Sequence, residues 1–337
     1  MAAHTWFNRI WYGQPQPPFW LVPLSLLYAA VASLRRRAYA NGWLRAAGLS
    51  RPVIVVGNLS VGGTGKTPLV CWLVQALAAR GFKVGIVTRG YGGAVRAARL
   101  LRMSDDAESI GDEPLLLSRR TAAPVAVGRD RAAAAQLLIA AGCDVIVSDD
   151  GLQHYGLKRN CELVVIDGER RFGNGRLLPA GPLREGRERL RGVAAIVVNG
   201  GAAPREPLGD APVIAMQLEG QVAHALAGDQ RRTLQSFAGE SVHAVAGIGN
   251  PQRFFDLLEA HGINVLPHPL PDHARLSARD IRFGDGHPVL MTEKDAVKCA
   301  GFAGPEHWYV PVSAHFVPDA AAQLLDRVLG TLSASWR

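Results

Sequence analysis

A glycine-rich segment occupies residues 60–67 and consists of Ser60, Val61, Gly62, Gly63, Thr64, Gly65, Lys66 and Thr67. It follows a short apolar run and precedes a helical pattern, which is the strand–loop–helix context of a P-loop. The backbone N–H groups of such a loop bind the phosphates of a nucleoside triphosphate, the lysine neutralises charge, and the threonine hydroxyl binds Mg²⁺. The strict pattern has glycine at the position of Ser60, so a chance glycine-rich turn is the alternative to a nucleotide site.

Two adjacent acids, Asp149 and Asp150, follow the apolar run at 145–147 and Ser148. P-loop proteins hold Mg²⁺ with a carboxylate at the end of a neighbouring parallel strand. We therefore predict that these two residues bind the metal. The alternative is an Asp-Asp-Gly turn without a ligand.

Two further polar segments carry little information by themselves. Asp112 and Glu113 stand at a predicted helix start before Pro114, where acids and proline are common for helix stability alone. Asp272 and His273 have the composition of a surface turn or a helix cap. Spacing therefore leaves a catalytic role open for both segments.

Two other motifs are incomplete. Residues 247–251 resemble a dinucleotide fingerprint, but Gln252 stands where the third glycine belongs. Asn250 as N-cap with Pro251 at the first helical position explains this segment without a ligand. Residues 292–295 resemble the guanine-reading NKxD motif, but their lysine is one position late. The sequence therefore favours neither a dinucleotide oxidoreductase nor guanine specificity.

The composition is that of an ordered globular protein with excess positive charge. Of 337 residues, 48% are hydrophobic and 20% are charged, and the formal net charge is +8. Such a charge favours an anionic partner, either phosphates, nucleic acid or an acidic membrane. Phe172 is the only aromatic residue in the arginine-rich stretch 170–191, so we expect no nucleic acid partner. The four cysteines lack a CxxC spacing, which indicates a reducing cytosolic environment without disulfides or zinc.

The amino-terminal segment combines aromatic residues, an apolar stretch and arginines. Residues 19–34 are uncharged, contain Pro23 and are followed by Arg35, Arg36 and Arg37. This stretch is marginal for crossing a hydrocarbon core of about 30 Å, whereas its composition fits a helix in the membrane interface. A buried helix packed on the domain is the alternative. Because the P-loop strand starts only at Val53, we expect deletion of residues 1–37 to leave the nucleotide site intact.

Apolar runs alternate with helical patterns from about residue 51 onward. This alternation predicts an α/β fold of the P-loop NTPase type, with a mostly parallel sheet covered on both faces. A turn-rich stretch suggests a linker, and a second α/β pattern follows it. We predict a membrane-associated segment at 1–50, a P-loop core at 51–200, a linker at 201–215 and a smaller α/β domain at 216–337.

Taken together, the motifs resemble those of the tetraacyldisaccharide 4'-kinases, the lipid A 4'-kinases of Gram-negative bacteria. The resemblance covers nearly the whole chain, and its segments run in the order of that family: 57–68, 88–92, 111–114, 148–154, 177–185, 271–273 and 291–298. Ser60 is in keeping with this family. Ala274 departs from it, because a second histidine is expected there.

The resemblance implies an ATP- and Mg²⁺-dependent kinase. Its substrate would be a tetraacylated glucosamine disaccharide 1-phosphate, whose 4'-hydroxyl attacks the γ-phosphoryl group. It also implies a peripheral or monotopic location on the cytoplasmic face of the bacterial inner membrane, with a glycolipid and an anionic membrane surface as partners.

The resemblance also assigns roles to individual residues. It implies Asp112 as the catalytic base, with His273 as its partner and Lys66 on the phosphates. The residues that it implies near Mg²⁺ are Thr67, Glu113, Asp149 and Asp150.

The stretch 170–184 is a candidate clamp for the phosphate already on the substrate, through Arg170, Arg171, Asn174 and Arg184. Arginine suits this role because its forked donors match phosphate oxygens. A solvated basic loop is the alternative. For the whole chain, the alternative function is a membrane-associated P-loop regulatory or assembly ATPase without a small-molecule acceptor.

Overall fold

The computed structural model describes residues 2–13, 16–201 and 208–335. In chain order the strands are β1 (Val53–Gly57), β2 (Val84–Thr88), β3 (Arg99–Leu100), β4 (Val125–Val127), β5 (Val145–Asp149), β6 (Cys161–Asp167), β7 (Ala195–Asn199), β8 (Val213–Glu219), β9 (Val222–Ala225), β10 (Arg231–Thr233), β11 (Ser241–Ala246), β12 (Asn264–Pro269), β13 (Val289–Thr292), β14 (His307–Val310) and β15 (Ser313–His315). The helices are α1 (Ala2–Tyr12), α2 (Leu21–Ala40), α3 (Lys66–Ala78), α4 (Ala107–Ile110), α5 (Asp112–Thr121), α6 (Arg131–Ala140), α7 (Pro251–Glu259), α8 (Ala278–Ile281), α9 (Glu293–Cys299) and α10 (Pro318–Ser335).

Within these ranges the strands form two sheets. The first has the order β15-β8-β7-β6-β1-β5-β2-β4-β3 and is parallel except at its two edge strands. Strands β1, β2, β5 and β7 are buried along their whole length, as expected for a parallel sheet with helices on both faces. The second sheet has the order β10-β9-β14-β13-β11-β12. The predicted α/β fold with a mostly parallel sheet is therefore confirmed.

The second sheet is an insert in the first. Strand β8 pairs in parallel with β7, and β15 pairs antiparallel with β8. Helix α10 then packs on the first sheet through Leu324, Leu325 and Val328. This arrangement differs from the predicted boundaries, because the chain returns to the first sheet at Ser313 instead of remaining in a carboxyl-terminal domain. Residues 202–207 of the predicted linker lie outside the described residues.

Helices α1 and α2 pack on the loops of the first sheet. The buried Ser25 hydroxyl donates to Leu177 O at 2.8 Å, and the Tyr28 hydroxyl donates to Arg184 O at 3.1 Å. The Tyr12 hydroxyl donates to Val61 O in the P-loop at 3.3 Å. The outer surface of this segment exposes the apolar side chains of Trp20, Leu24, Leu26, Leu27, Val31 and Leu34. None of the described helices has the length and apolarity needed to cross a bilayer.

Candidate active site

A cavity of about 970 Å³ lies where the carboxyl ends of strands from both sheets face each other. The first sheet contributes the P-loop after β1, Asp150 after β5 and Asn199 of β7. The second sheet contributes the loop at 248–250 after β11, together with the start of α9. Crevices at the carboxyl ends of parallel strands are the usual ligand sites of such folds. The cavity is therefore the candidate active site.

The P-loop follows β1 and leads directly into α3, as predicted. Gly62 and Gly65 have φ of 105° and 95°, a conformation that only glycine adopts readily. Asn199 fixes the loop because its Nδ2 donates to Thr64 O at 3.0 Å. The loop therefore directs backbone N–H groups and the amino terminus of α3 into the cavity, which is the arrangement that binds phosphate.

Lys66 and Asp150 lie together at one side of the P-loop. The Lys66 Nζ is 3.5 Å from Asp150 Oδ1, and Arg184 Nη1 is 2.9 Å from Asp150 Oδ2. Burial alone would raise the pKa of the Asp150 carboxyl, but the positive charges of Lys66 and Arg184 outweigh burial and lower it. Asp150 is therefore ionised, and it orients both cations beside the phosphate site.

Asp149 is the residue with the clearest need for a cation. It is 1% exposed, and its Oδ1 has no hydrogen-bond partner. Burial, then the charges of Glu113 and Asp150, raise the pKa of its carboxyl. A cation beside Asp149 would satisfy the unpaired oxygen and favour the ionised form.

The donors around Asp149 fit Mg²⁺. No group of three or more His, Cys, Asp or Glu residues is arranged to hold a metal ion in the described part of the chain. Mg²⁺ in phosphoryl-transfer sites needs only one or two carboxylates, because substrate phosphates and water complete its shell. Thr67, Glu113 and Asp150 line the cavity, and Asp149 is buried directly before Asp150 in the chain. The predicted set of four residues therefore offers suitable oxygen donors.

The structure brings Asp112 and His273 together at the edge of the cavity, where His273 lines the ligand space and Asp112 is buried beside it. His273 Nδ1 is 3.0 Å from Asp112 Oδ1, although 161 residues separate them in the chain. Burial alone would raise the pKa of Asp112, but the hydrogen bond from His273 and the charge of Lys294 outweigh burial and lower it to about 2. Burial alone would lower the pKa of His273, but the hydrogen bond to Asp112 outweighs burial and raises it. The two side chains form one hydrogen-bonded pair.

Lys294 is a central residue that the sequence analysis missed. Its ammonium lies 3.1 Å from Glu113 Oε1, 3.0 Å from Asp272 Oδ1 and 3.2 Å from His273 Nε2. Burial would lower the pKa of Lys294, but Glu113 and Asp272 outweigh burial and raise it. The sequence feature that could have identified Lys294 is the segment 291–298, because its lysines at 294 and 298 lie one helical turn apart.

The four residues of the predicted phosphate clamp separate in the structure. Only Arg184 lines the cavity. Arg170 donates to Gly249 O at 2.7 Å and to Asn250 Oδ1 at 2.8 Å. Asn174 Nδ2 donates to Ala180 O at 2.8 Å, and Arg171 Nε donates to Gly168 O at 3.3 Å. The latter three side chains therefore hydrogen-bond within the protein and do not line the cavity, whereas Arg184, which is paired with Asp150, faces the ligand space.

The contacts of α1 and α2 change the expected effect of deleting residues 1–37. The deletion removes the hydrogen bonds of Tyr12, Ser25 and Tyr28 to the P-loop and the 177–184 loop. At about 1 kcal/mol for each bond, the loss of these three bonds alone should lower the free energy of unfolding by about 3 kcal/mol. We expect weaker ATP binding as well, in contrast to the expectation from the sequence. Calorimetric titration with ATP measures this effect.

A matched control for the deletion is Leu26→Ser with Leu27→Ser, because both side chains are more than half exposed. This variant keeps every hydrogen bond to the P-loop and the 177–184 loop. We expect its dissociation constant for ATP to equal that of the full chain. An unchanged constant in the deletion variant would contradict the role of α1 and α2 in the nucleotide site.

The fold and the site together define a P-loop phosphotransferase. A phosphate loop follows the central strand, a buried carboxylate ends the adjacent strand, and a carboxylate–histidine pair lies at the same cavity. A family model described as Tetraacyldisaccharide-1-P 4'-kinase matches residues 18–330. The chain belongs to this family, as the sequence motifs indicated.

Similar proteins agree with this assignment. The tetraacyldisaccharide 4'-kinase of Alkalilimnicola ehrlichii is 53% identical, over 92% of this chain and 93% of its own. That of Aromatoleum aromaticum is 50% identical, over 93% of this chain and 96% of its own. The crystal structure of LpxK from Aquifex aeolicus in complex with ATP is 28% identical and superimposes with a TM-score of 0.76, covering 91% of this chain and 98% of that one.

Proposed function

We propose that the chain transfers the γ-phosphoryl group of ATP to the 4'-hydroxyl of a tetraacylated glucosamine disaccharide 1-phosphate. The observation that carries this proposal is that residues suited to nucleotide binding, catalysis and acceptor binding line one cavity. The P-loop, His273, and Tyr28 and Arg35 of α2 all border the same space, and the buried Asp112 lies 3.0 Å from His273. A nucleotide bound at the P-loop and an acceptor arriving along α2 would therefore meet beside the carboxylate–histidine pair.

ATP fits the nucleotide side of the cavity. The P-loop supplies backbone donors for the phosphates, and Lys66 supplies charge next to them. Phosphoryl transfer has a loose transition state, so positioning and charge neutralisation contribute most of the catalysis. The related enzyme from Aquifex aeolicus has been crystallised with ATP.

Asp112 is the proposed base for the acceptor hydroxyl. Its low pKa keeps it ionised, so it orients the hydroxyl as an acceptor and takes the proton late in the transfer. His273 Nδ1 lies 3.0 Å from Oδ1 and 3.2 Å from Oδ2 of Asp112, and this contact limits the orientations of the carboxylate. A strong base is unnecessary, because the attacking oxygen carries little charge in a loose transition state.

Thr67, Glu113, Asp149 and Asp150 would hold Mg²⁺ in this proposal. The bound ion would neutralise charge on the phosphates during transfer. The unpaired Asp149 Oδ1 is the observation that supports it.

The acceptor side of the cavity suits an anionic lipid at a membrane surface. Arg35 and Arg184 border the cavity, where their guanidinium groups could bind the phosphate of the disaccharide. The exposed apolar side chains around α2 would enter the lipid interface, with Arg36 and Arg37 at anionic headgroups. We therefore place the protein peripherally on the cytoplasmic face of the bacterial inner membrane.

The test is a transfer assay with the full chain, ATP labelled at the γ-phosphate, and the disaccharide lipid in mixed micelles. We expect label in the lipid, and none when the 4'-position is already phosphorylated. ATP turnover at the same rate with and without lipid, with no labelled lipid, would contradict the proposal and favour a regulatory or assembly ATPase.

A further inference from the structure

Lys298 lies inside the protein between two carboxylates. Its Nζ is 2.9 Å from Asp295 Oδ1 and 3.5 Å from Asp112 Oδ2, and its side chain is 9% exposed. A buried ammonium is costly unless such partners compensate it. The lysine therefore links the proposed base to a second acid of α9.

The Asp295 carboxylate is held in place by hydrogen bonds, so it can fix the position of the Lys298 ammonium. The residue is fully buried, and its Oδ2 accepts from Gly247 N at 2.7 Å and from the Thr292 hydroxyl at 2.6 Å. Its other oxygen holds Lys298. Because both oxygens have hydrogen-bond partners, the Asp295 carboxylate is held in one orientation relative to the backbone of the second sheet.

The anchor of Asp295 also belongs to the loop that rests on the P-loop. A Cβ on Gly249 would collide with Gly63 N, so the two backbones are in direct contact. Arg170 ties this loop to the first sheet through its bonds to Gly249 O and Asn250 Oδ1. The segment 247–250 therefore touches the phosphate loop at one end and holds Asp295 at the other.

The two oxygens of Asp112 have different partners. Oδ1 accepts from Glu113 N at 2.9 Å and faces His273 at 3.0 Å. Oδ2 lies 3.2 Å from His273 and 3.5 Å from Lys298. Lys294 instead pairs with Glu113 and Asp272. In the described part of the chain, Lys298 is thus the lysine whose ammonium lies within ion-pair distance of the Asp112 carboxylate, whereas Lys294 acts on it only through its charge.

We propose that Lys298 is a positioning residue for Asp112, and that through Asp295 it ties the orientation of this base to the 247–250 loop on the P-loop. This inference rests on the proposed function, since it concerns the base of that reaction. The base then has its productive orientation only when the second sheet is seated against the phosphate loop. Transfer to the acceptor would thereby depend on contacts that also enclose the nucleotide.

The experiment compares Lys298→Met with Lys298→Arg in the full-length enzyme. Methionine keeps an unbranched side chain but removes the charge, whereas arginine retains it. Misplacement of a catalytic group by about 1 Å costs on the order of 10²-fold in rate. We expect kcat to fall by that order in Lys298→Met, with ATP affinity nearly unchanged and with substantial recovery of kcat in Lys298→Arg.

Val297→Ala is the matched control, because Val297 is the neighbouring buried residue of α9 and packs with Leu115 and Leu116 of α5. It loosens the same helix contact without changing the ion pairs. Both variants are compared by thermal melting and by kcat. If Val297→Ala loses as much kcat as Lys298→Met for an equal loss of stability, Lys298 has only a structural role.

A second arm tests whether Lys298 acts through Asp112. In an Asp112→Ala background, Lys298→Met should leave the residual rate unchanged, because residues that act as a unit are non-additive. The same fold loss in both backgrounds would overturn the proposal. If Lys298→Met does not fold, Asp295→Asn replaces it, since the amide still accepts from Gly247 and Thr292 but does not hold the ammonium.

The outcomes separate this inference from the function on which it rests. A wild-type enzyme that labels the lipid, together with a Lys298→Met variant of normal kcat, contradicts only the role of Lys298. A wild-type enzyme that does not label the lipid contradicts both.

Discussion

Lys66→Ala is expected to lower kcat for phosphoryl transfer by about 10²- to 10³-fold, the usual loss when one donor to transition-state charge is removed. The protein should still fold, because Asp150 keeps its ion pair with Arg184 at 2.9 Å. The side chain of Lys66 is only 14% exposed and sits at the first residue of α3. Rapid-quench measurement of the labelled lipid gives kcat, and thermal melting reports the fold.

The control for Lys66→Ala is Lys158→Ala, an exposed lysine that does not line the cavity. It removes the same charge from the protein, so any general effect of net charge on membrane binding appears in both variants. We expect normal kcat in Lys158→Ala. A well-folded Lys66→Ala enzyme with normal kcat would remove the P-loop from the mechanism.

Removal of the proposed base should have an effect of comparable size. Asp112→Ala is expected to lower kcat by about 10²- to 10⁴-fold, the contribution usually made by general acid–base catalysis. His273→Ala should lower it through the same step, because His273 Nδ1 lies 3.0 Å from the carboxylate. The double variant should therefore lose little more rate than Asp112→Ala alone.

These variants are compared at saturating ATP, with ATP affinity measured separately. We expect affinity to remain nearly unchanged in all three, since the P-loop is intact. If the double variant is slower by the full product of the two single losses, the residues act independently. A normal rate in His273→Ala would exclude the histidine from the reaction.

The parts of the site that the sequence predicted are formed by residues that are consecutive in the chain. The P-loop and the pair Asp149–Asp150 each follow an apolar strand, and the register of β1 against β5 brings the two strand ends together. Parallel strands end at one edge of a sheet, so the pattern predicts both segments at that edge. The P-loop motif predicts that the two strands are neighbours. Local chemistry and local structure agree at these positions.

The rest of the site depends on how the two sheets pack against each other, and the spacing of residues in the sequence does not predict this packing. Asp112 and His273 lie 161 positions apart, and only the family resemblance paired them. Asn174 was assigned to the substrate as part of the arginine-rich stretch 170–184, whereas its amide donates to Ala180 O and Ile10 O. The domain boundary was missed because β15 spans only Ser313–His315, too short to give an alternating pattern.

Because the chain returns to the first sheet at β15, the second sheet is encoded by one continuous segment that recombination can exchange as a whole. Ser313 pairs with Glu219 in the antiparallel ladder of β15 and β8, so the two ends of the insert lie side by side. A short hairpin turn would join those residues directly, since antiparallel neighbours need only a two-residue connection. Recombination at the codons of these two residues, which are neighbours in the fold, would then exchange the whole insert between relatives, carrying His273, Lys294 and Lys298 together while leaving the phosphate loop in place.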